Sequence, residues 1–357
     1  MTNSGIIAAA QNTTLISATL NSTAQGVLAA GMASDGKLGT SSNLTLNSQG
    51  QLTANGQNSA AGHLSASGSQ TYGNNIDLQA TVSDIRTAGA NLAATQTLAA
   101  RTGGMLNNDG GKLSADQLSL TAKAPSNQQG TVQQLGQQDL MLSHAGGINN
   151  RAGTIASNSK NLTLNTANLN NQQGTIVHAG DGTLVIQAAQ MNGDKGAVLS
   201  NGSLALSGTR LQLDNTTTQA GNITLNAGSL SPRDGQMTQT GSGTLNLNVT
   251  DLFDNLDGKI FSNGALSLTA GTLNNQQGQL IAADGRLTSL SGAVDNTGGL
   301  MQGGSTLSLD SRGAEVLNRN SGAQGGMVSA GDMQLLTGNL DNSHGQSNPD
   351  PDQLRPD

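Results

Sequence analysis

Residues 171–192 read Asn171-Gln172-Gln173-Gly174-Thr175-Ile176-Val177-His178-Ala179-Gly180-Asp181-Gly182-Thr183-Leu184-Val185-Ile186-Gln187-Ala188-Ala189-Gln190-Met191-Asn192. The stretch holds one turn phrase, Asn-x-x-Gly, and three short apolar beats: Thr175-Ile176-Val177, Leu184-Val185-Ile186, and a third centred on Met191. The middle beat has period two, so Leu184 and Ile186 share one face of a strand and Val185 takes the other. Three strands of this length, each with one apolar face, cannot make a core alone.

The turn phrase recurs at Asn108/Gly111, Asn127/Gly130, Asn150/Gly153, Asn255/Gly258, Asn275/Gly278, Asn296/Gly299 and Asn342/Gly345. Variants run from Gly193 to Gly196, Pro232 to Gly235 and Arg319 to Gly322, and the wide interval between Gly196 and Gly235 holds Asn215. Gly111 to Gly345 spans about eleven periods, so the unit is about 21 residues. The middle beat keeps step as Leu162/Leu164, Leu184/Ile186, Leu204/Leu206, Ile223/Leu225, Leu245/Leu247, Leu266/Leu268, Leu307/Leu309 and Met333/Leu335. Stacking such units buries their apolar faces together. The expected fold is all-β: a right-handed parallel β-helix, or solenoid, of about 21-residue, three-strand coils. Leu164, Ile186, Leu206, Leu225, Leu247 and Leu268 would form one interior column, each worth roughly 1.5–3 kcal/mol when buried.

Composition agrees. Only 1% of the 357 residues are aromatic, and 49 glycines against 5 prolines suit a chain that bends often around a narrow bore. The acids are almost all Asp, with Glu315 alone, which favours turns over helices. Asparagine is poor in strands, yet Asn150, Asn171, Asn215, Asn255, Asn275, Asn296 and Asn342 all follow the third beat. They are expected to tolerate left-handed backbone and to stack their amides as a ladder from coil to coil.

Residues 1–100 read as less regular coils, where Leu44/Leu46 and Ile76/Leu78 keep the beat but alanine-rich phrases replace the turn. Residues 101–344 read as the regular solenoid, and 345–357, alternating proline with acid, as a disordered tail.

Phrases such as Leu169-Asn170-Asn171-Gln172-Gln173-Gly174-Thr175-Ile176, Leu273-Asn274-Asn275-Gln276-Gln277-Gly278 and Ser262-Asn263-Gly264-Ala265-Leu266-Ser267-Leu268 resemble the haemagglutinin repeats of filamentous haemagglutinin and of contact-dependent growth inhibition proteins. The resemblance implies a large secreted Gram-negative surface adhesin, or virulence protein, exported by two-partner secretion through an outer-membrane transporter. It implies a structural stalk and cell-contact surface, with a target-cell receptor or glycan as partner and a bacterial cell-surface location. Met1-Thr2-Asn3-Ser4-Gly5-Ile6-Ile7 has neither the basic region nor the apolar run of a signal peptide, so the chain reads as an internal stretch of a longer protein or a truncated reading frame.

No catalytic, cofactor or metal residue is nominated, and the expectation is a protein that is not an enzyme. Zero cysteines remove disulfides, thiolate metal sites and cysteine nucleophiles. His63, His144, His178 and His344 lie at no metal-ligand spacing and read as solvated turn or face residues. Asp251-Leu252-Phe253-Asp254-Asn255-Leu256-Asp257-Gly258-Lys259 has calcium-like oxygens but lacks the later glutamate, and its Asp254-Asn255 sits where other units carry their turn pair. Gly303-Gly304-Ser305-Thr306-Leu307-Ser308-Leu309-Asp310 has no nine-residue echo that would make it a calcium repeat. Fifteen Lys and Arg spread singly in a chain of net charge −7 argue against nucleic acid, and no segment is apolar enough to span a membrane. The alternatives are a receptor-binding segment of the filament and, from another class, a β-helical polysaccharide lyase or glycosidase. The latter needs converging carboxylates and aromatic platforms, where this chain has Tyr72 as its one tyrosine and no tryptophan.

Overall fold

The computed structural model describes residues 1–18, 20–23, 25–37, 42–48, 51–54, 57–60, 64–65, 70–80, 82–320, 325–344 and 347–348. Every helix or strand among them is a β-strand. The chain forms two compact units, Met1–Gly180 and Asp181–Asp357, each a parallel β-solenoid.

In the second unit, Lys259–Ser262, Ala265–Thr269 and Thr272–Asn274 make one coil of three strands. They pair in parallel with Gln279–Ala282, Arg286–Leu290 and Val294–Asp295 of the next coil, first strand on first, second on second, third on third. The first unit repeats the arrangement: Thr154–Ser157 lies along Thr175–His178, and Leu140–His144 along Leu162–Asn170. The period read from the turn phrase is therefore the distance between hydrogen-bonded neighbours.

Alternation decides what enters the bore. Ile186, Leu206, Leu225, Leu247 and Leu268 pair in succession in the second unit, each at most 1% exposed. Leu164 holds the same place in the first unit, paired with Leu142. Leu44, Leu46, Ile76 and Leu78 are buried as well, so the beat works in the less regular region. Met333 and Leu335 are only half-buried. The second-unit column breaks at Ser289, which pairs with both Leu268 and Leu309.

In four coils the second and third strands run on as one: Leu162–Asn170, Thr183–Asn192, Ser203–Gln212 and Asn222–Ser231. Here the third beat is not a separate strand. The corner survives in the burial pattern: Thr166 is buried, Ala167 and Asn168 are exposed in succession, and Leu169 is buried again. Two outward residues in a row tip the chain onto its next face while backbone pairing continues.

Ser347–Asn348 forms a short strand against Met327 and Val328. The rest of the expected tail, 345–346 and 349–357, lies outside the described residues, as does His63.

Candidate functional site

The turn at the end of each third strand is the most specified feature of the fold. In the first unit Asn171 opens one such turn, Gln173 takes φ 57°, and Gly174 closes it by donating its N–H to the Asn171 carbonyl at 2.9 Å. The left-handed residue is thus the third of the phrase and not the asparagine, in contrast to the expectation from sequence. Gln129, Ala152, Asp257 and Gln277 repeat it with φ between 52° and 57°. The closing glycine is needed for space. A Cβ on Gly174 would run into the carbonyl oxygen of Asn150 in the preceding coil and stand 2.7 Å from Asn171 Oδ1. Gly130, Gly153, Gly278 and Gly299 meet the carbonyl one coil back in the same way.

That close approach lets the amides connect. Asn108 Nδ2 donates to Asn127 Oδ1 at 2.8 Å, Asn127 to Asn150 at 2.8 Å, and Asn150 to Asn171 at 2.7 Å. In the second unit Asn255, Asn275, Asn296, Asn318 and Asn342 form a second ladder, with steps of 2.6–2.7 Å. Asn108, Asn127, Asn150, Asn171, Asn255, Asn275 and Asn296 also donate to the glycine carbonyl of their own turn, at 3.1–3.3 Å. Asn108, Asn127, Asn150, Asn171, Asn255, Asn275, Asn296 and Asn318 are all at least 96% buried. A side chain that would be a liability in a strand becomes a satisfied buried polar group here.

Two ladder assignments are corrected. Asn215 is exposed at φ 54°, donating to Asp194, while Leu213 fills the buried slot. Asn318 belongs to the ladder although its turn, before Arg319, lacks the phrase. The register reveals the first error: in most coils the slot lies nine residues after the first aliphatic of the beat, as in Leu162 to Asn171 and Leu266 to Asn275, which gives Leu204 to Leu213. The same count puts Pro232 one coil before Asn255. Proline has no side-chain donor, and Asn255 Oδ1 has no partner among the described residues. In the first unit the corresponding end is closed by Thr87, whose hydroxyl donates to Asn108 Oδ1 at 3.0 Å.

The histidine expectation is also corrected in part. His344 is exposed, but His144 and His178 are 2% and 1% exposed. His144 Nδ1 donates to the Ala122 carbonyl at 2.9 Å, and His178 Nε2 meets the carbonyls of Ser159 and Lys160 at 2.9 and 3.1 Å. Gln134, on the strand position that His178 occupies two coils on, caps a corner too: its Oε1 accepts from Leu118 N–H at 3.0 Å. Gln239 does the same for Ile223 N–H in the second unit. Burial pushes the His144 imidazole below its ordinary 6.5. Below pH 6.5 the unfolded chain binds a proton that the folded one resists, so stability falls with pH until the folded group titrates. Thermal melts at pH 8 and pH 5.5 should therefore show a loss that shrinks in His144→Gln; an equal loss in both proteins would contradict this.

The acidic stretch is structural in its placement. Asp254 is 4% exposed, accepts from Arg233 through both Nε and Nη2, and takes the Asn274 amide at 2.8 Å. Asn255 stands in the ladder. The phrase Gly303–Asp310 is a corner followed by the strand Thr306–Asp310, with Leu307 and Leu309 in the bore.

The exterior is plain by comparison. Ala205, Thr224, Asn246, Ser267, Thr288 and Ser308 follow one another outward along the second strand in register. On the third-strand face, Thr272 and Ala293 lie in a notch between Leu252 and Glu315 of about 220 Å³, smaller than the roughly 300–1,000 Å³ of ordinary ligand pockets.

Stacked coils whose specified chemistry faces inward define a class: a β-solenoid repeat protein whose outside is available for contact. The chain belongs to the haemagglutinin repeat family, whose model matches residues 1–35, 31–84, 73–152, 131–190, 180–234 and 220–314. It is similar to "Toxin CdiA" of Yersinia pestis, at 32% identity over 359 residues, covering 93% of this chain and 10% of that protein. The chain thus spans about a tenth of the curated relative it matches. No solved structure matches it.

Proposed function

We propose that this chain is a stalk and cell-contact segment of a large secreted surface protein of the adhesin or contact-dependent growth inhibition kind. The full-length protein would be exported through an outer-membrane two-partner transporter and would meet a receptor or glycan on a target cell. The segment itself carries out no reaction. One observation supports this most: the residues that recur from coil to coil, the ladder asparagines, closing glycines and bore leucines, all serve the stack itself, while the outward positions vary. A spacer needs that arrangement. Similarity to Toxin CdiA supplies the setting.

Removing whole coils tests it. Deleting residues 255–274 from the full-length surface protein joins Asp254 to Asn275, restoring the Asp-Asn pair seen at Asp295-Asn296. Display and target-cell binding are expected to survive, because the register is kept. Deleting residues 265–274 alone leaves half a coil and should abolish both. If the whole-coil deletion were displayed normally yet lost cell binding, a receptor-binding segment would replace the stalk reading.

A further inference from the structure

The inward column of the second unit runs Leu247, Leu268, Ser289, Leu309 in register. Ser289 is 1% exposed and the leucines on either side are fully buried. A hydroxyl thus stands where the neighbouring coils carry an isopropyl group. The next inward residue, Ser291, is also fully buried. Neither Ser289 Oγ nor Ser291 Oγ has a hydrogen-bond partner among the described residues.

Other buried serines of this unit are satisfied locally. Ser200, Ser262 and Ser329 donate to the carbonyl three residues on, at 3.3, 2.9 and 2.9 Å. Ser311, one coil beyond Ser291, reaches the Ala314 carbonyl at 2.7 Å because Arg312 and Gly313, at φ 52° and 76°, double the chain back. Gly292 and Ala293 after Ser291 have no positive φ, so no carbonyl returns to its hydroxyl. Two orphan hydroxyls on one inward face, at a step where the coils on either side carry leucine, call for a partner, and a buried polar step of this kind is where a protein interior holds water.

We propose that this coil binds ordered water inside the bore, hydrogen-bonded to Ser289 Oγ and Ser291 Oγ and walled by Leu268 and Leu309. The water takes the place of the missing isopropyl group and pairs both hydroxyls, so the dry column has one built polar step. It is closed off by the coils on either side and exchanges slowly.

The experiment combines a double-mutant cycle on the full chain with magnetic resonance of methyl-labelled protein. With water bound, Ser289→Ala and Ser291→Ala should each lower the melting temperature by about 2–4 °C, since each leaves water and the other hydroxyl short of a partner. The double variant should lose less than the sum. The Leu268 and Leu309 methyls should show cross-relaxation to water, lost in Ser289→Leu, which fills the space without lowering the melting temperature. Single alanine variants that each melt higher, additively, would mean the hydroxyls are simply unpaired and would overturn the site. So would wild-type methyls that show no contact with water.

Discussion

Leu206→Asp is expected to unfold the coils around it. Leu206 is 1% exposed and paired in register with Ile186 and Leu225, so a carboxylate there meets only aliphatic neighbours. An unpaired charge in such surroundings costs on the order of 5 kcal/mol or more, beyond the lost leucine burial. That is comparable to the whole stability of an ordinary domain, roughly 5–15 kcal/mol. Because each coil touches mainly its neighbours, the damage spreads outward from the substituted step and does not stay local. Leu268→Asp should behave alike. The controls sit one residue away: Ala205→Asp and Ser267→Asp place the same charge on the outside and should change stability by no more than about 0.5 kcal/mol. Circular-dichroism melts of the four variants decide it. An unchanged transition for Leu206→Asp, or a collapse for Ala205→Asp, would reverse the assignment of inside and outside.

The contrast between those neighbouring positions was legible from alternation alone, because period two leaves a side chain only two directions. The coil length was legible too, since a turn phrase that repeats must repeat at the stacking distance. What escaped was set by partners from other coils. Alternation puts Gln239 on the face of Met237, but nothing near it shows what would satisfy a buried amide; its role depends on Ile223, 16 residues earlier, whose N–H it accepts. His178 likewise reads as a surface residue until Ser159 and Lys160 are brought beneath it. Asn215 has the residue type of the ladder but not its register: the bore assigns the slot, and Leu213 is the residue that arrives there. Asn318 was missed for the converse reason, its turn having lost the closing phrase while keeping the slot.

The ladder offers a sharper test of that distinction between residue type and position. Asn275→Asp preserves shape almost atom for atom but replaces the only donor with a second acceptor. Asn275 Nδ2 donates to Asn296 Oδ1 at 2.6 Å, Leu300 O at 3.2 Å and Gly278 O at 3.3 Å, so the new oxygen faces three oxygens at a fully buried site. A loss of about 3–5 kcal/mol is expected at neutral pH, from missing bonds and a desolvated charge together. The sign of its pH dependence is fixed by the same geometry. Burial and facing oxygens raise the folded carboxyl above its unfolded value near 3.9, so protonation favours the folded state. The penalty relative to wild type should therefore shrink as pH falls through the raised folded value, while Asn215→Asp, on an exposed residue, should cost no more than about 1 kcal/mol, from the lost bond and like charge at Asp194. Paired urea titrations of the two variants across pH measure this. Equal small losses at both positions would mean that the amides merely accompany the turns, and that carbonyl stacking against the closing glycines holds the coils in step without them.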